Sequence, residues 1–439
     1  MHVVGVGGAG MSGLARLLHE RGCVVSGSDA HDSPVLGALA ASGIHVRVGH
    51  AGGRDEYDVI TWSPAIASDN VELVEAAARG ATLVSRAEAL ADLVDQQATI
   101  GLTGTHGKTT ATSMMSHVLA AAGRDPSRLV GADVTGLGAN GHWGPDGLVL
   151  EVDESYGTFE RLAPVALGLL NVEADHLDHY GTADHLESAF ARLLERTTGP
   201  VVAWDERGTR RVGALVARDV VWVGTDEQDW RVRDVALSRQ KSSFTLEGPE
   251  RLTIHLAVTG AHNVADAAVV AVLAHESGIA STAIVEGLAR FVGAPRRFEY
   301  RGRWRDADVY EDYAHLPGEV RAALAGARAA GYADVTVVFQ PHRYSRTERL
   351  ADAFADSFVD ASRVIVTDVY AAGEENPGGV SGRLVLEAIT RAHPDARCTY
   401  VANLSDVVDA LGALDASGDA LVLVGAGDVG SLASTLVAP

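Results

Sequence analysis

Short apolar segments alternate with amphipathic helical patterns along the first part of the chain. Strands are predicted at residues 2–6, 23–26 and 59–62, and helices at residues 11–21 and 87–94. Strands and helices that alternate in this way form a parallel sheet covered by helices. We therefore expect an α/β unit that ends in the polar segment near residue 96.

The same alternation continues to the end of the chain. A second unit is predicted with strands at 99–103, 148–152, 166–171, 201–204 and 220–223 and helices at 109–122, 262–277 and 282–291. Within it, residues 230–257 alternate without helical signals, which predicts a small antiparallel addition. A third unit is predicted with strands at 309–313, 335–339, 364–367, 399–401 and 420–424. The pattern predicts three α/β domains in series, at residues 1–96, 97–292 and 293–439.

The first candidate site is a glycine-rich turn between a predicted strand and a predicted helix. Its G-x-G-x-x-G pattern lets the backbone approach a diphosphate, and the helix N-terminus offers free N–H groups. The candidate contacts are Gly7, Gly8, Ala9 and Gly10, with Asp29 at the end of the next strand as a ribose partner. Taken alone, the motif favours a nicotinamide-dependent oxidoreductase, with a tight turn that binds nothing as the alternative.

A second glycine-rich turn, T-G-T-H-G-K-T-T at residues 103–110, also joins a strand to a helix. It has the G-K-T ending of a phosphate-binding loop but is shorter than G-x-x-x-x-G-K-[ST]. In such loops backbone N–H groups hold phosphates, Lys108 neutralises their oxygens and Thr109 binds Mg²⁺. The remaining candidate contacts are Gly104, Thr105, Gly107 and Thr110. Two phosphate loops suit a synthetase that uses ATP and a nucleotide-linked substrate, whereas a dehydrogenase leaves the second loop without a role.

Acidic residues and a histidine follow two strands of the second unit. Glu154 lies in E-V-D-E-S at residues 151–155, and His176 lies in N-V-E-A-D-H-L-D at residues 171–178. Because ligands bind at the carboxyl ends of parallel strands, these groups are candidates for Mg²⁺. Surface acidity is the alternative, and it is favoured for their neighbours.

In the third unit, E-D-Y-A-H at residues 311–315 and F-Q-P-H-R-Y-S-R-T at residues 339–347 also follow strands. Arginine and histidine placed there can hold an amino-acid carboxylate. A solvated position of Arg346 on a helix is an equal alternative from chemistry alone.

The charge and hydrophobicity of the chain argue against nucleic-acid and membrane partners. The formal net charge of −22 argues against general electrostatic binding of nucleic acid. Lys108 is one of two lysines in the chain, which makes its place in a glycine loop more informative. We find no apolar run long enough for a membrane span and no signal peptide, so we expect a cytoplasmic protein without membrane partners.

Taken together, the motifs resemble the Mur ligase family over nearly the whole chain. The second glycine loop, D-E-S, D-H-L-D, G-A-H-N at residues 260–263 and D-Y-A-H at residues 312–315 are similar to the family pattern. The first glycine turn, R-R-F at residues 296–298 and F-Q-P-H-R-Y-S-R-T are similar to its alanine-adding branch. The resemblance implies a Rossmann-like UDP-binding domain, a central P-loop ATPase domain and a Rossmann-like C-terminal domain.

The resemblance also implies an activity. ATP would phosphorylate the carboxylate of UDP-N-acetylmuramate, and L-alanine would attack the acyl phosphate. Two Mg²⁺ ions are implied, at Thr109 with Glu154 and at His176, and the chain is expected to be a monomer or homodimer. The catalytic residues would be Lys108, Glu154, His176, His342 and Arg346. Asn263, Arg297 and Asp312 would bind ATP, and the alanine site would comprise Tyr313, His315, His342, Arg343 and Arg346.

Three positions depart from the family pattern. Tyr156 stands where the family has aspartate, Leu316 where it has a second histidine, and Asp266 where it has asparagine. The alternatives are therefore a ligase for a preformed peptide, glycine or serine, and a non-catalytic paralogue that binds a UDP-sugar.

Overall fold

The computed structural model describes residues 1–51, 57–413 and 419–437, with the side chain of Asp178 also left outside the description. The chain packs as two compact units. The first comprises Met1–Val235, Ser243–Leu256 and His262–Val292, and the second comprises Ala236–Ser242, Ala257–Ala261 and Gly293–Pro439. Three separate sheets lie within them, with five, ten and six strands. The predicted α/β class is confirmed, and the first two predicted domains supply the two sheets of the first unit.

The N-terminal sheet is parallel and has the order β3-β2-β1-β4-β5. Its elements are β1 His2–Val4, α1 Ala9–Glu20, β2 Ser26–Asp29, α2 Pro34–Ala41, β3 His45–Val48, β4 Val59–Trp62, α3 Val71–Ala78, β5 Thr82–Leu83 and α4 Arg86–Gln96. The prediction of a strand at 23–26 was wrong, because β2 begins where Ser26 pairs with His2. The apolar residue Val24 precedes that register and is 89% exposed.

The central sheet has the order β15-β14-β13-β12-β11-β10-β6-β9-β7-β8. Its elements are β6 Thr99–Thr103, α5 Lys108–Ala121, β7 Pro126–Leu129, β8 Gly141–Pro145, β9 Leu148–Val152, a 3₁₀ helix Ser155–Arg161, β10 Ala166–Leu169, α6 Leu177–Tyr180, α7 Ala183–Arg196, β11 Val201–Trp204, α8 Arg207–Gly213, β12 Val221–Gly224, β13 Trp230–Leu237, β14 Ser242–Glu247, β15 Arg251–Leu256, α9 Ala261–Glu276 and α10 Ser281–Arg290. β13, β14 and β15 are neighbours, and the short turns between them require antiparallel pairing, as predicted.

The third sheet forms the second unit, with the order β16-β17-β21-β18-β19-β20. Its elements are β16 Glu299–Trp304, β17 Ala307–Asp312, α11 Pro317–Ala329, β18 Val335–Phe339, α12 Tyr344–Leu350, a 3₁₀ helix Asp352–Phe354, β19 Arg363–Val366, α13 Arg383–Ala392, β20 Cys398–Tyr400, α14 Leu404–Ala413, β21 Ala420–Val424 and α15 Ser431–Leu436. The sequence analysis missed β16, an antiparallel edge strand paired with β17. Three of its six residues are charged, so it lacks the apolar signal of a buried strand.

Helix α1 of the N-terminal sheet packs directly on β7 and β8 of the central sheet. A Cβ atom added to Gly141 would lie 1.9 Å from the carbonyl oxygen of Gly13, so the two backbones touch. Asn140 donates to the carbonyl oxygen of Ala9 at 2.8 Å and accepts from Arg16 at 2.6 Å. Glycine at the contact and hydrogen bonds around it explain why these two sheets belong to one compact unit.

Within the described ranges, no helix is both long enough and apolar enough to cross a bilayer.

Candidate active site

The first glycine loop, residues 5–10, leads from β1 into α1. Gly5 ends the strand with φ +76°, a left-handed conformation that glycine adopts without strain. Helix α1 begins after Gly8 with no side-chain cap and no acidic residue in its first turn. Uncapped N–H groups at a helix start favour an anion. The loop therefore has the geometry that its sequence predicted for a diphosphate.

The side chain of Asp29 forms hydrogen bonds with the first glycine loop itself. Its carboxylate accepts from the N–H of Gly7 at 2.9 Å and from the N–H of His31 at 3.3 Å. A Cβ atom at Gly7 would lie 2.8 Å from the same carboxylate, so glycine is needed for this approach. Asp29 thus fixes the loop conformation, in addition to the ribose contact proposed for it.

Sequence reasoning missed Arg86, the first residue of α4. Its guanidinium covers the first glycine loop closely enough that a Cβ atom at Gly10 would lie 2.5 Å from Nη2. Arg86 also lies 3.7 Å from the carboxylate of Asp153, at the end of β9 in the central sheet. An arginine over an anion-binding loop is a natural phosphate partner. A single arginine at the start of a helix carries no local sequence signal for this role.

The second glycine loop, residues 103–110, leads from β6 into α5. Gly107 occupies the N-cap position with φ +83°, and α5 has no side-chain cap and no acid in its first turn. Gly104 has φ +145°, and a Cβ atom there would lie 2.9 Å from the carbonyl oxygen of Asn171. The loop is also tied to the end of β10, since the N–H of His106 donates to the Asn171 side chain at 2.7 Å. The loop is thus tied to the segment after β10, and the uncapped first turn of α5 is where N–H groups are available to an anion.

Lys108 projects from the start of α5 into a ring of oxygens. Its Nζ lies 2.8 Å from the carbonyl oxygen of Gly104 and 2.8 and 2.9 Å from the two carboxylate oxygens of Glu154. Burial by itself lowers the pKa of Lys108, but Glu154 and Asp153 outweigh it and raise that pKa. Lys108 is therefore a fixed cation at physiological pH.

The hydroxyl of Thr109, the next residue, donates to Glu151 at 3.2 Å. Glu151 also accepts from the N–H of Gly131 at 2.6 Å. The sequence analysis had not given Glu151 a role. Thr105 and Thr110, the other predicted loop threonines, are both buried beside this site.

One group of three side chains among the described residues could hold a metal ion. Glu154, Asp175 and His176 each offer a ligand atom, and these atoms lie within 4.8 Å of one another. His176 has φ +50°, a left-handed conformation that turns its imidazole back toward Glu154, with Nε2 3.8 Å from Oε1. Two carboxylates and an imidazole suit a divalent cation. The structure brings Glu154 and His176 into one group and adds Asp175, for which surface acidity was the favoured interpretation. The assignment of Glu154 and His176 to two different ions stays a prediction.

Helix α9 runs beside the second glycine loop. Asn263 in its first turn is buried, and Asp266 one turn later is only 6% exposed. The carboxylate of Asp266 faces Gly107, where a Cβ atom would lie 2.6 Å from Oδ2. Burial raises the pKa of Asp266 well above its ordinary value. The departure from asparagine at this position therefore replaces an amide by a carboxyl group that favours its neutral form.

The predicted nucleotide contacts of the second unit lie at the end of β17. Both carboxylate oxygens of Asp312 accept backbone N–H groups, from Ala314 at 2.7 Å and from Phe298 at 2.8 Å. Burial raises the pKa of Asp312, opposed by Arg297 and these N–H groups. The guanidinium of Arg297 stands 5.6 Å from the ring centre of Tyr313. Arg297, Asp312 and Tyr313 are thus brought together, as their proposed roles require.

The predicted amino-acid site forms a second cluster in the same unit. The rings of His315 and His342 lie 5.8 Å apart, and His342 stacks on Tyr370 at 5.6 Å. Arg346 donates from Nη1 to Nδ1 of His342 at 3.2 Å. Burial, with His315 and Arg346 adding to it, lowers the pKa of His342 to about 4. His342 is therefore a neutral acceptor that orients Arg346.

Two arginines of this cluster differ in their partners. Arg343 lies 3.9 Å from Glu374, which also accepts from the backbone and hydroxyl of Ser345. Arg346 is half-buried, and none of the carboxylates that the structure describes lies within ion-pair distance of it. Its place in α12 confirms the helix, but its burial argues against the fully solvated alternative.

The two remaining departures lie at the edges of these sites. Tyr156 has φ +55° and is 54% exposed. Leu316 precedes the first turn of α11, where its N–H donates to Glu319 at 3.0 Å. Neither position supplies a group to Lys108 or to the three-residue cation group.

Comparison with known proteins identifies the family. The family model for the Mur ligase family catalytic domain matches residues 1–98, that for the Mur ligase middle domain matches residues 102–274, and that for the Mur ligase glutamate ligase domain matches residues 296–427.

Relatives and solved structures agree with this assignment. A UDP-N-acetylmuramate–L-alanine ligase from Kineococcus radiotolerans is 42% identical, covering 98% of this chain and 93% of the relative. The ligase of the same name from Thermobifida fusca is 40% identical, covering 100% and 96%. The crystal structure of a UDP-N-acetylmuramate–alanine ligase from Thermotoga maritima superimposes with a TM-score of 0.84 at 28% identity, covering 99% of this chain and 97% of that one. The chain therefore belongs to the Mur ligase family and is an amide-forming ligase.

Proposed function

We propose that this chain uses ATP to join L-alanine to the carboxylate of UDP-N-acetylmuramate. The observation that carries the proposal is the presence of two glycine loops, each opening an uncapped helix in a separate sheet. A nucleotide-linked acceptor and ATP each need such a loop. The names of relatives that are at least 40% identical over nearly the whole chain supply the identity of the two substrates.

In the proposed reaction the muramate carboxylate attacks the γ-phosphorus of ATP, and the bond to ADP breaks. The amine of alanine then attacks the acyl carbon, loses a proton, and expels phosphate to leave the amide. Both steps bring anions together, so fixed cations must offset the repulsion. We assign this role to Lys108, because it is held at the start of α5 and its carboxylate partner, Glu154, belongs to the cation group.

We assign the cation group Glu154, Asp175 and His176 to Mg²⁺. The donor set fits, because two carboxylates and an imidazole converge at one point. Among the described side chains, Lys108 is the one cation that neutralises part of this charge. A bound Mg²⁺ would offset phosphate charge and release Lys108 from Glu154. The expectation of a second ion, with Thr109 as a ligand of the first, stays a prediction.

We assign the alanine carboxylate to Arg346 in the second unit. His342 orients this guanidinium, and no described carboxylate neutralises it, so it is available to an anionic ligand. Tyr313 and His315 extend the same cluster. Their two rings meet edge to face, with ring centres 5.5 Å apart. Arg343 is the weaker candidate, since Glu374 already lies beside it.

The cytoplasm is the proposed location, because ATP and the sugar nucleotide are consumed together. A monomer or homodimer remains the prediction for the assembly.

The test is phosphate release from ATP with UDP-N-acetylmuramate and a panel of single amino acids and an L-alanine-containing tripeptide. Release that requires both the sugar nucleotide and L-alanine is expected. Activity only with the tripeptide would identify a peptide ligase. If UDP-N-acetylmuramate binds without any phosphate release, the proposal fails and the non-catalytic paralogue takes its place.

A further inference from the structure

A cavity of about 410 Å³ lies in the first unit, away from both glycine loops. Its walls come from the last residue of α1, the C-terminal half of α5, and the strands β7 and β8 with the loop between them. The polar side chains that line it are Glu20, Arg124, Asp125, Arg128 and His142, together with Ser116. The cavity is therefore built from helix ends and strands, and it is charged.

The two carboxylates of this cavity already have a partner. His142 Nδ1 lies 2.8 Å from Glu20, and His142 Nε2 lies 2.9 Å from Asp125. Glu20 also accepts from the N–H of Trp143 at 2.9 Å. Both carboxylates of the cavity therefore already contact groups of the protein itself.

Unlike the carboxylates, the two arginines of the cavity form no direct ion pair among the described residues. Arg128 is only 8% exposed, and its Nη2 donates to the carbonyl oxygen of Leu137. Its Nε is buried and has no hydrogen-bond partner among the described residues. Within the described ranges neither Arg124 nor Arg128 has a carboxylate at ion-pair distance. Burial lowers the pKa of Arg128, and the charges of Glu20 and Asp125 oppose this shift from beyond ion-pair distance.

The cavity is distinct from both proposed phosphate sites. Helix α1 has 12 residues, so Glu20 at its end lies about 16 Å from the first glycine loop at its start. Helix α5 starts at Lys108 in the second loop, and Ala120 and Arg124 lie at and beyond its other end. The proposed reaction therefore leaves this cavity without a role.

We propose that the cavity between the ends of α1 and α5 binds a small phosphate-bearing molecule through Arg128 and Arg124. A phosphate dianion would take the free Nε–H of Arg128 and form the direct ion pair that no described carboxylate makes with this guanidinium, which a monocarboxylate does less well. The volume leaves room for a small organic part as well as the phosphate. Because α1 and α5 each begin at a glycine loop, the ligand would join the far ends of the two helices that carry those loops.

The experiment is calorimetric titration of the full-length chain, saturated with UDP and with the non-hydrolysable ATP analogue AMP-PNP. Under the proposed function these two nucleotides occupy the first and second glycine loops, so the titrated anion reports on other sites. The probes are inorganic phosphate, glycerol 3-phosphate and, as a monocarboxylate, acetate. We expect one saturable site for phosphate and no saturable site for acetate. Tighter binding of glycerol 3-phosphate would identify a phosphate monoester as the ligand class, and equal binding would identify free phosphate.

Three variants locate the site. Arg128→Gln should weaken phosphate binding at least tenfold, and the exposed Arg124→Gln should weaken it about threefold without risk to the fold. Arg196→Gln is the control, because Arg196 is half-buried and also bonded to a backbone carbonyl, that of Leu162. If Arg128→Gln does not fold, the Arg124→Gln result decides. Binding that is absent, that acetate shares, or that both cavity variants retain would overturn the proposal.

Discussion

The two glycine loops of the first unit share a backbone plan and differ in their side chains. Both follow a parallel strand and open a helix without a side-chain cap. The first loop holds no lysine, and its conformation is fixed by Asp29, with Arg86 covering it. The second loop carries Lys108, which contacts backbone carbonyl oxygens and the carboxylate of Glu154, and Glu154 also belongs to the cation group.

The difference separates binding from chemistry. The first loop offers N–H groups and one arginine, which suffice to hold a diphosphate that does not react. The second loop adds the fixed charge of a lysine side chain and two carboxylates of the cation group, which the proposed transfer of a phosphoryl group would use. Under the proposed function, the same strand–turn–helix geometry would serve two purposes, decided by a few side chains from elsewhere in the chain.

The largest expected effect comes from Lys108→Ala. Loss of the cation facing the phosphates should lower kcat/KM for ATP at least about a thousandfold, while UDP-N-acetylmuramate still binds. Phosphate release and calorimetric binding of the sugar nucleotide measure the two properties. Lys241→Ala is the matched control, since Lys241 is the other lysine and is exposed. Simultaneous loss of both properties would show that the loops do not act separately.

Arg346→Ala lies outside both loops and sharpens the comparison by contrast. Loss of a charge-assisted pair with the amino-acid carboxylate, about 1.5–3 kcal/mol, should raise KM for L-alanine roughly 10- to 100-fold. KM for ATP should stay within about twofold. Steady-state kinetics with each substrate varied in turn provides the measurement, with the exposed Arg349→Ala of the same helix as control. Equal increases in both constants would remove Arg346 from the amine site.

Arg86→Gln tests the first loop. Since the guanidinium covers Gly10, we expect KM for UDP-N-acetylmuramate to rise about tenfold with little change for ATP. Arg161→Gln serves as control. Arg161 is exposed and pairs with Glu88, which lies on α4, the helix that also carries Arg86. An increase in KM for ATP alone would place the effect of Arg86 at Asp153 and the second loop instead.

The smallest expected effect concerns the carboxyl groups beside the two loops. Asp29 accepts hydrogen bonds, whereas no described hydrogen bond reaches Asp266, and burial raises its pKa. The folded chain therefore holds this proton more tightly than the unfolded chain. The resulting stabilisation is complete below the unfolded pKa and is lost as the pH rises toward the folded one.

Asp266→Asn removes this titration. The variant should melt a few degrees above the parent at neutral pH, and the difference should widen as the pH rises above the ordinary aspartate pKa of 3.8. Thermal melting at several pH values measures it, with the exposed Asp409→Asn as control. A difference that is constant with pH would mean that Asp266 does not titrate on unfolding.

The sequence by itself determined the order of elements, both glycine loops and the residue types at the ends of the strands. These features are local, because glycine conformations, helix starts and strand hydrophobicity are encoded by neighbouring residues. The error at β2 has the opposite cause, since pairing with β1 set the strand three residues later than its apolar residues suggested.

Only the tertiary structure decided which distant side chains meet. Asp175 joins Glu154 because β9 and β10 flank β6, and Arg86 reaches Gly10 because α4 returns to the first loop. The exposed or buried state of Asp266, and the unneutralised arginines of the cavity, likewise depend on segments far apart in the chain. Charge and hydrogen-bond partners act over a few ångströms in space, and a sequence read along the chain does not contain those distances.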